Sequence, residues 1–152
     1  MTTKKKEENF CMKIQVKKLS TEAKMPVFGR AGDAGLDLFS AQDAVLKPGE
    51  RISCKTGIAI KISDGYVGLY WDKGGVSHKF GIKVLGGVHD SNYTGECMVG
   101  LVNLSREDFV IKKGQKIAQL LVQKIERPEI EEVSELPATN RGEQRFGSSG
   151  IM

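Results

Sequence analysis

The chain has 152 residues, the length of one ordinary domain with a single core. Hydrophobic residues at 39% and charged ones at 28% give a globular composition, and no apolar run approaches the roughly 18 residues of a membrane span, which excludes a helical membrane protein. Twenty-three basic residues against 19 acidic ones leave a net charge of +4, scattered rather than striped, so the chain suits a phosphate-bearing ligand without calling for a nucleic acid.

Residues Met1 to Asn9, "MTTKKKEEN", are charged and lack the apolar segment of a secretory signal, so residues 1–10 are expected to form a solvated tail. Met12, Ile14 and Val16 then alternate with Lys13, Gln15 and Lys17, the period of a half-buried strand. The same kind of stretch recurs in "LDLFSA", "RISCKTGIAIKI", "YVGLYW", "FGIKVLGGV", "ECMVGLVNL" and "QKIAQLLVQKI", separated by Gly, Pro, Asp and Asn. No window carries an amphipathic helix longer than about three turns, and 18 glycines would be costly inside helices. The expected fold is all-β, a barrel or jelly roll over residues 1–125.

From Glu126 the pattern fails: "ERPEIEEVSELPATNRGEQRFGSSGIM" has no period and ends in glycine and serine. Residues 126–152 are either a solvated tail or an arm that orders over a ligand on another copy, since they carry an isolated aromatic, Phe146, and the separated Arg141 and Arg145. Cys11, Cys54 and Cys97 are odd in number and lack CxxC spacing, so they read as reduced, mostly packed thiols of a cytoplasmic protein.

Two segments have the character of anion loops. "RAGDAGLDL" is glycine-rich and holds Asp33 and Asp37, and "DKGGVSHKFG" offers consecutive small residues whose amides could cradle phosphate. "GEQRFGSS" nearly copies a phosphate-loop spacing, but serine stands in place of lysine and no helix can follow, so it is no Walker loop. Asp90 sits in an expected hairpin turn, "GGVHDSNYTGE", where it is a turn former or a chemical group. His78 and His89 have no partner at metal spacing and read as surface or loop histidines. Ser77 and His78 are merely adjacent and make no triad.

Five segments in this order resemble the motifs of the trimeric dUTPase family: "AGLDLFSA", "DKGGVSHKFG", "GGVHDSNYTGE", "GQKIAQLL" and "RGEQRFGSSG". The resemblance implies a distorted jelly roll, a homotrimer with active sites between subunits, each completed by a swapped C-terminal arm, and magnesium-dependent hydrolysis of dUTP to dUMP and pyrophosphate. That reaction limits uracil in DNA and supplies dUMP for dTTP synthesis. It also implies roles. Asp90 would be the general base that aims water at the α-phosphorus. Tyr93 would pack on the deoxyribose and exclude a 2′-hydroxyl, while the turn backbone, Gly87 included, would read uracil. Lys73, Gly74 and Gly75 would face phosphate, as would Gln119, and Asp37 would reach magnesium through its waters. In the arm, Arg141 would fix the closed state, Phe146 would stack on uracil, and Gly147, Ser148 and Ser149 would close on the γ-phosphate.

The chain departs from that pattern at Gly74, where the family usually has serine between a basic residue and glycine. Losing a donor aimed at the transition state can cost about 2.7–4 kcal/mol, so turnover is expected to be reduced. Two alternatives follow: a catalytically weak protein that binds nucleotide and acts through a partner, and the related dCTP deaminase, which the fifth motif disfavours. His89 stands where the family commonly has isoleucine or valine, either perturbing Asp90 or pointing to solvent.

Overall fold

A computed structural model describes residues 12–145. Among the described residues there are eleven strands and one short helix: β1 (Gln15–Lys18), β2 (Val27–Phe28), β3 (Leu36–Phe39), β4 (Ala44–Leu46), β5 (Arg51–Lys61), β6 (Tyr66–Asp72), α1 (Gly74–Phe80), β7 (Ile82–Leu85), β8 (Val88–His89), β9 (Glu96–Asn103), β10 (Phe109–Ile111) and β11 (Lys116–Lys124). The all-β expectation holds, and each of the alternating stretches carries a strand.

Two antiparallel sheets face each other. One has the order β1-β5-β9-β7, the other β2-β3-β11-β6-β8, and β10 pairs with β4 beside them. Strand β9 states the principle: Cys97, Val99, Leu101 and Asn103 are buried while the residues between them are half-exposed, the two-residue period of a strand with one face on the core. Leu38, Leu120, Ile58 and Ile60 meet them from the other strands. Leu101 has no exposed surface, so Leu101→Ala should cost about 2–5 kcal/mol, measured as a fall in denaturation midpoint at constant slope. A loss below 0.5 kcal/mol would contradict this packing.

One long strand serves two partners. β5 pairs with β9 through Arg51–Lys55 and again at Ala59, with a register shift between, and with β1 through Ile58–Lys61. Gly57 makes the bend, with φ of 69° and its amide donating to Glu96 Oε1 at 2.9 Å. The buried Asn103 is satisfied on all sides: Nδ2 donates to Leu46 O and Glu107 O, and Oδ1 accepts from the amide and hydroxyl of Ser105. Cys54 and Cys97 are free buried thiols, as their spacing suggested, and Cys11 lies outside the described residues.

Two local expectations are corrected. "GGVHDSNYTGE" is not a hairpin, because β8 pairs with β6 in one sheet and β9 pairs with β5 and β7 in the other. The segment 90–95 is a tight turn that crosses between sheets, closed by the Tyr93 amide donating to Asp90 O at 3.1 Å. "DKGGVSHKFG" is not a loop either. Gly74 to Phe80 form α1, ended by Gly81 in the left-handed region at φ 66°, whose amide donates to Ser77 O.

Candidate functional site

The motif residues gather in two places. At one end of β6, the register sets Asp37 on β3 opposite Gln119 on β11, and Gln119 opposite Trp71 on β6. Gln119 Nε2 donates to Asp72 O at 2.9 Å, which points the amide at the start of α1. Gly35 lies so close to Gln119 that an added Cβ would come 2.5 Å from Oε1, hence glycine in the first motif.

Asp37 is 1% exposed. Lys73 Nζ donates to its Oδ1 at 2.5 Å. Lys116 Nζ stands 2.7 Å from Oδ2 but off the direction of a hydrogen bond, so Oδ2 has no directed donor. Burial pushes the Asp37 carboxyl up, but Lys116 and Lys73 together outweigh it and hold its pKa below the ordinary value. The group is therefore more acidic folded than unfolded, and its stabilisation is complete above pH 3.8 and lost as pH falls through the lower folded value. Acid unfolding of the wild type should contain a component below pH 3.8 that Asp37→Asn lacks. Identical acid limbs in the two proteins would contradict the pairing.

Next to this carboxylate, Lys73 is the extended residue before α1 and offers no side-chain cap. Gly74 and Gly75 open the helix, and their amides have no acceptor within it. An added Cβ at either glycine would meet nothing within 4 Å. Among the described residues, no group of three or more His, Cys, Asp or Glu side chains could cage a metal. Asp37 Oδ2 does suit the water of a metal held by phosphate rather than the ion itself.

The second cluster lies at the other end of β6. Tyr70 and Gly86, with Val88, His89, Asp90, Tyr93, Glu96 and Met98, surround a cleft, and Gly87 is not in its lining; Asp90 is exposed and Tyr93 is 47% exposed. Gly87 O accepts from the Tyr70 amide at 2.7 Å, and a Cβ on Gly87 would come 2.8 Å from Tyr70 O. Gly87→Ala should therefore split β8 from β6 and lower stability; a denaturant titration checks this, and an unchanged midpoint would contradict it.

The expectation for His89 is corrected. It is 3% exposed, with Nδ1 2.6 Å from the Tyr70 hydroxyl and Nε2 3.1 Å from Ile60 O. His78 is exposed on α1, as expected. Sequence reasoning missed this Tyr70–His89 pair, the hold of Lys116 on Asp37, and Lys61, whose Nζ donates to Ser91 O at 2.6 Å.

Within one chain the two clusters do not meet. Gly68 opposes His89, so Asp90 falls beside Val67, six residues along β6 from Lys73, or roughly 20 Å at strand rise.

Residues 126–145 carry no regular structure and expose Ile130 at 98% and Leu136 at 85%. Their root is tied down: Arg127 pairs with Asp64 at 2.6 Å and reaches Ser91 Oγ at 3.3 Å. Arg141 Nε donates to Gln144 O at 3.2 Å in an exposed turn. Phe146, Gly147, Ser148 and Ser149 lie outside the described residues. Among the described residues, no helix is long and apolar enough to cross a membrane.

The dUTPase family model matches residues 21–150. The chain is 43% identical over 143 residues to the deoxyuridine 5'-triphosphate nucleotidohydrolase of Clostridium kluyveri, covering 93% of this chain and 100% of that protein. To the protein of the same name from Paramecium bursaria Chlorella virus 1 it is 43% identical, covering 91% and 98%. Among solved structures, a mutant dUTPase of Staphylococcus bacteriophage 80alpha with dUpNHpp matches with TM-score 0.82 at 35% identity, over 91% of this chain and 99% of that one. A mutant dUTPase from phage phi11 of S. aureus, described with a coordinated structural Mg(II) ion, matches with TM-score 0.77 at 32% identity, over 83% and 99%. With a family model spanning most of its length and relatives this similar end to end, the chain belongs to the dUTPase family.

Proposed function

We propose that the chain hydrolyses dUTP to dUMP and pyrophosphate at sites assembled between copies of itself, as a cytoplasmic homotrimer. The observation that carries the shared site is the separation of the two clusters along β6: a nucleotide's α-phosphorus cannot touch Asp90 and the phosphate-facing groups of the same chain. A second copy supplies what the first lacks. The uncovered Ile130 and Leu136 support the arm reading, since apolar side chains at that exposure find cover only against another surface.

Asp90, exposed on a turn that its own carbonyl closes, is placed to accept a proton from water and direct it at the α-phosphorus. Tyr93 offers a ring face to the sugar, where a 2′-hydroxyl would collide. The backbone of residues 86–89 reads uracil, and a cytosine amino group there would leave polar groups unpaired at about 1–3 kcal/mol each. Lys73, the amides of Gly74 and Gly75, and Gln119 bind the phosphate chain of a neighbouring copy's nucleotide. Asp37 would hold a magnesium ion through its waters, and the ion, bound with the triphosphate, would neutralise charge and polarise a phosphoryl oxygen. Arg141, Phe146, Ser148 and Ser149 of the arm close the site and exclude bulk water.

The test is pyrophosphate release by the purified protein with magnesium. The expected result is turnover of dUTP, none of dTTP or UTP, and loss on chelation. Turnover of all three alike would overturn the substrate reading.

Gly74 favours a second reading, in which slow chemistry leaves the nucleotide as a signal read by a partner protein. The 80alpha phage dUTPases, similar in fold, are described as controlling transfer of virulence genes. Rapid dUTP turnover by the wild type would exclude that reading.

A further inference from the structure

We propose that His89 is a positioning residue that sets sugar selectivity: its buried ring, locked by Tyr70 and Ile60, is the wall that holds Tyr93 against the deoxyribose. The proposal rests on the dUTP reading above. The partners fix the ring. Ile60 O can only accept, so Nε2 carries the hydrogen at 3.1 Å, and Nδ1 accepts from the Tyr70 hydroxyl at 2.6 Å. With both nitrogens engaged at 3% exposure, turning the ring would strand a polar atom in the core.

The lock spans both sheets. Tyr70 lies on β6 in the five-stranded sheet and Ile60 on β5 in the four-stranded one, just past Ala59, where pairing with β9 ends. The next residue, Lys61, holds Ser91 O at 2.6 Å, so two consecutive residues of β5 grip the turn on either side of Asp90.

Tyr93 then has three supports. Its hydroxyl donates to Glu96 O at 3.0 Å. Its ring lies across Gly95, where an added Cβ would stand 2.5 Å from the hydroxyl oxygen. Its edge meets the His89 ring at a centroid distance of 5.4 Å and an angle of 78°. A tether and a floor alone would leave the ring free to lean, and the histidine wall opposes that movement. An aliphatic residue at 89 would fill the space without polar anchors to hold it in one orientation.

The experiment compares equilibrium binding of the non-hydrolysable α,β-imido analogues of dUTP and UTP to the full chain. Wild type is expected to prefer the deoxy analogue. In His89→Ala that preference should fall roughly twofold to tenfold, the worth of one edge-on aromatic contact. Tyr70→Phe keeps the ring volume and removes the donor, so it should shift the preference the same way by less. A purely structural role would weaken both analogues alike and leave their ratio unmoved, and that result overturns the proposal; should His89→Ala not fold, Tyr70→Phe decides alone. Wild type that fails to distinguish the two sugars overturns the role of Tyr93 together with this proposal. Wild type that distinguishes them, with both variants unaltered, overturns the proposal only.

Discussion

Asp90→Asn is expected to lower kcat for dUTP by about 10²–10⁴-fold while barely changing the affinity for a non-hydrolysable dUTP analogue. The side chain is exposed on a turn held from within by the Tyr93 amide and from outside by Lys61, so an isosteric amide keeps the backbone and loses only the proton acceptor. A steady-state assay paired with calorimetry separates the two effects. Loss of binding in step with loss of turnover would mean that Asp90 is a substrate anchor or a turn former rather than the base.

Gly74→Ser is expected to raise kcat, by about 10²–10³-fold if the missing hydroxyl is worth the 2.7–4 kcal/mol of a preorganised transition-state donor. The structure sets no obstacle: nothing lies within 4 Å of a Cβ at Gly74, and the residue sits in a right-handed helical turn. Serine is also the better helix former, by roughly 0.5 kcal/mol, so the variant should melt no lower than wild type. A stable variant with unchanged kcat would mean that amides or water already do the work of that hydroxyl.

How much of this was legible in the sequence depended on how far each feature is local. β9 was readable because eight residues of alternation leave one face for the core. β2, β4 and β10 were not, since two or three residues carry no period and only their partners define them. Asp37 and Gln119 were each singled out by the resemblance, one toward magnesium and the other toward phosphate, but their pairing across β3 and β11 was not foreseen, and Lys116 on Asp37 depends on a register shift in β11 that no local pattern announces. Gly81 could have announced the end of α1, because a glycine after a basic turn is a helix stop; the opening pair of glycines hid the start.

His89 is the instructive miss. Of two adjacent strand residues one must face inward, and apolarity favours Val88. The fold instead leaves Val88 63% exposed and buries His89, because Tyr70 and Ile60 O satisfy both ring nitrogens. Such partners, 19 and 29 residues away in sequence, are invisible until the sheets are assembled.

The separation of the two clusters makes the central claim testable by complementation. Asp90→Asn and Gln119→Ala, each inactive alone, are mixed as unfolded chains and refolded together. If one copy's Asp90 serves a nucleotide held by another copy's Gln119, about a quarter of the sites in random mixed trimers are intact, and activity should return toward that fraction. No recovery, in mixtures shown to contain both chains in one assembly, would contradict the shared site.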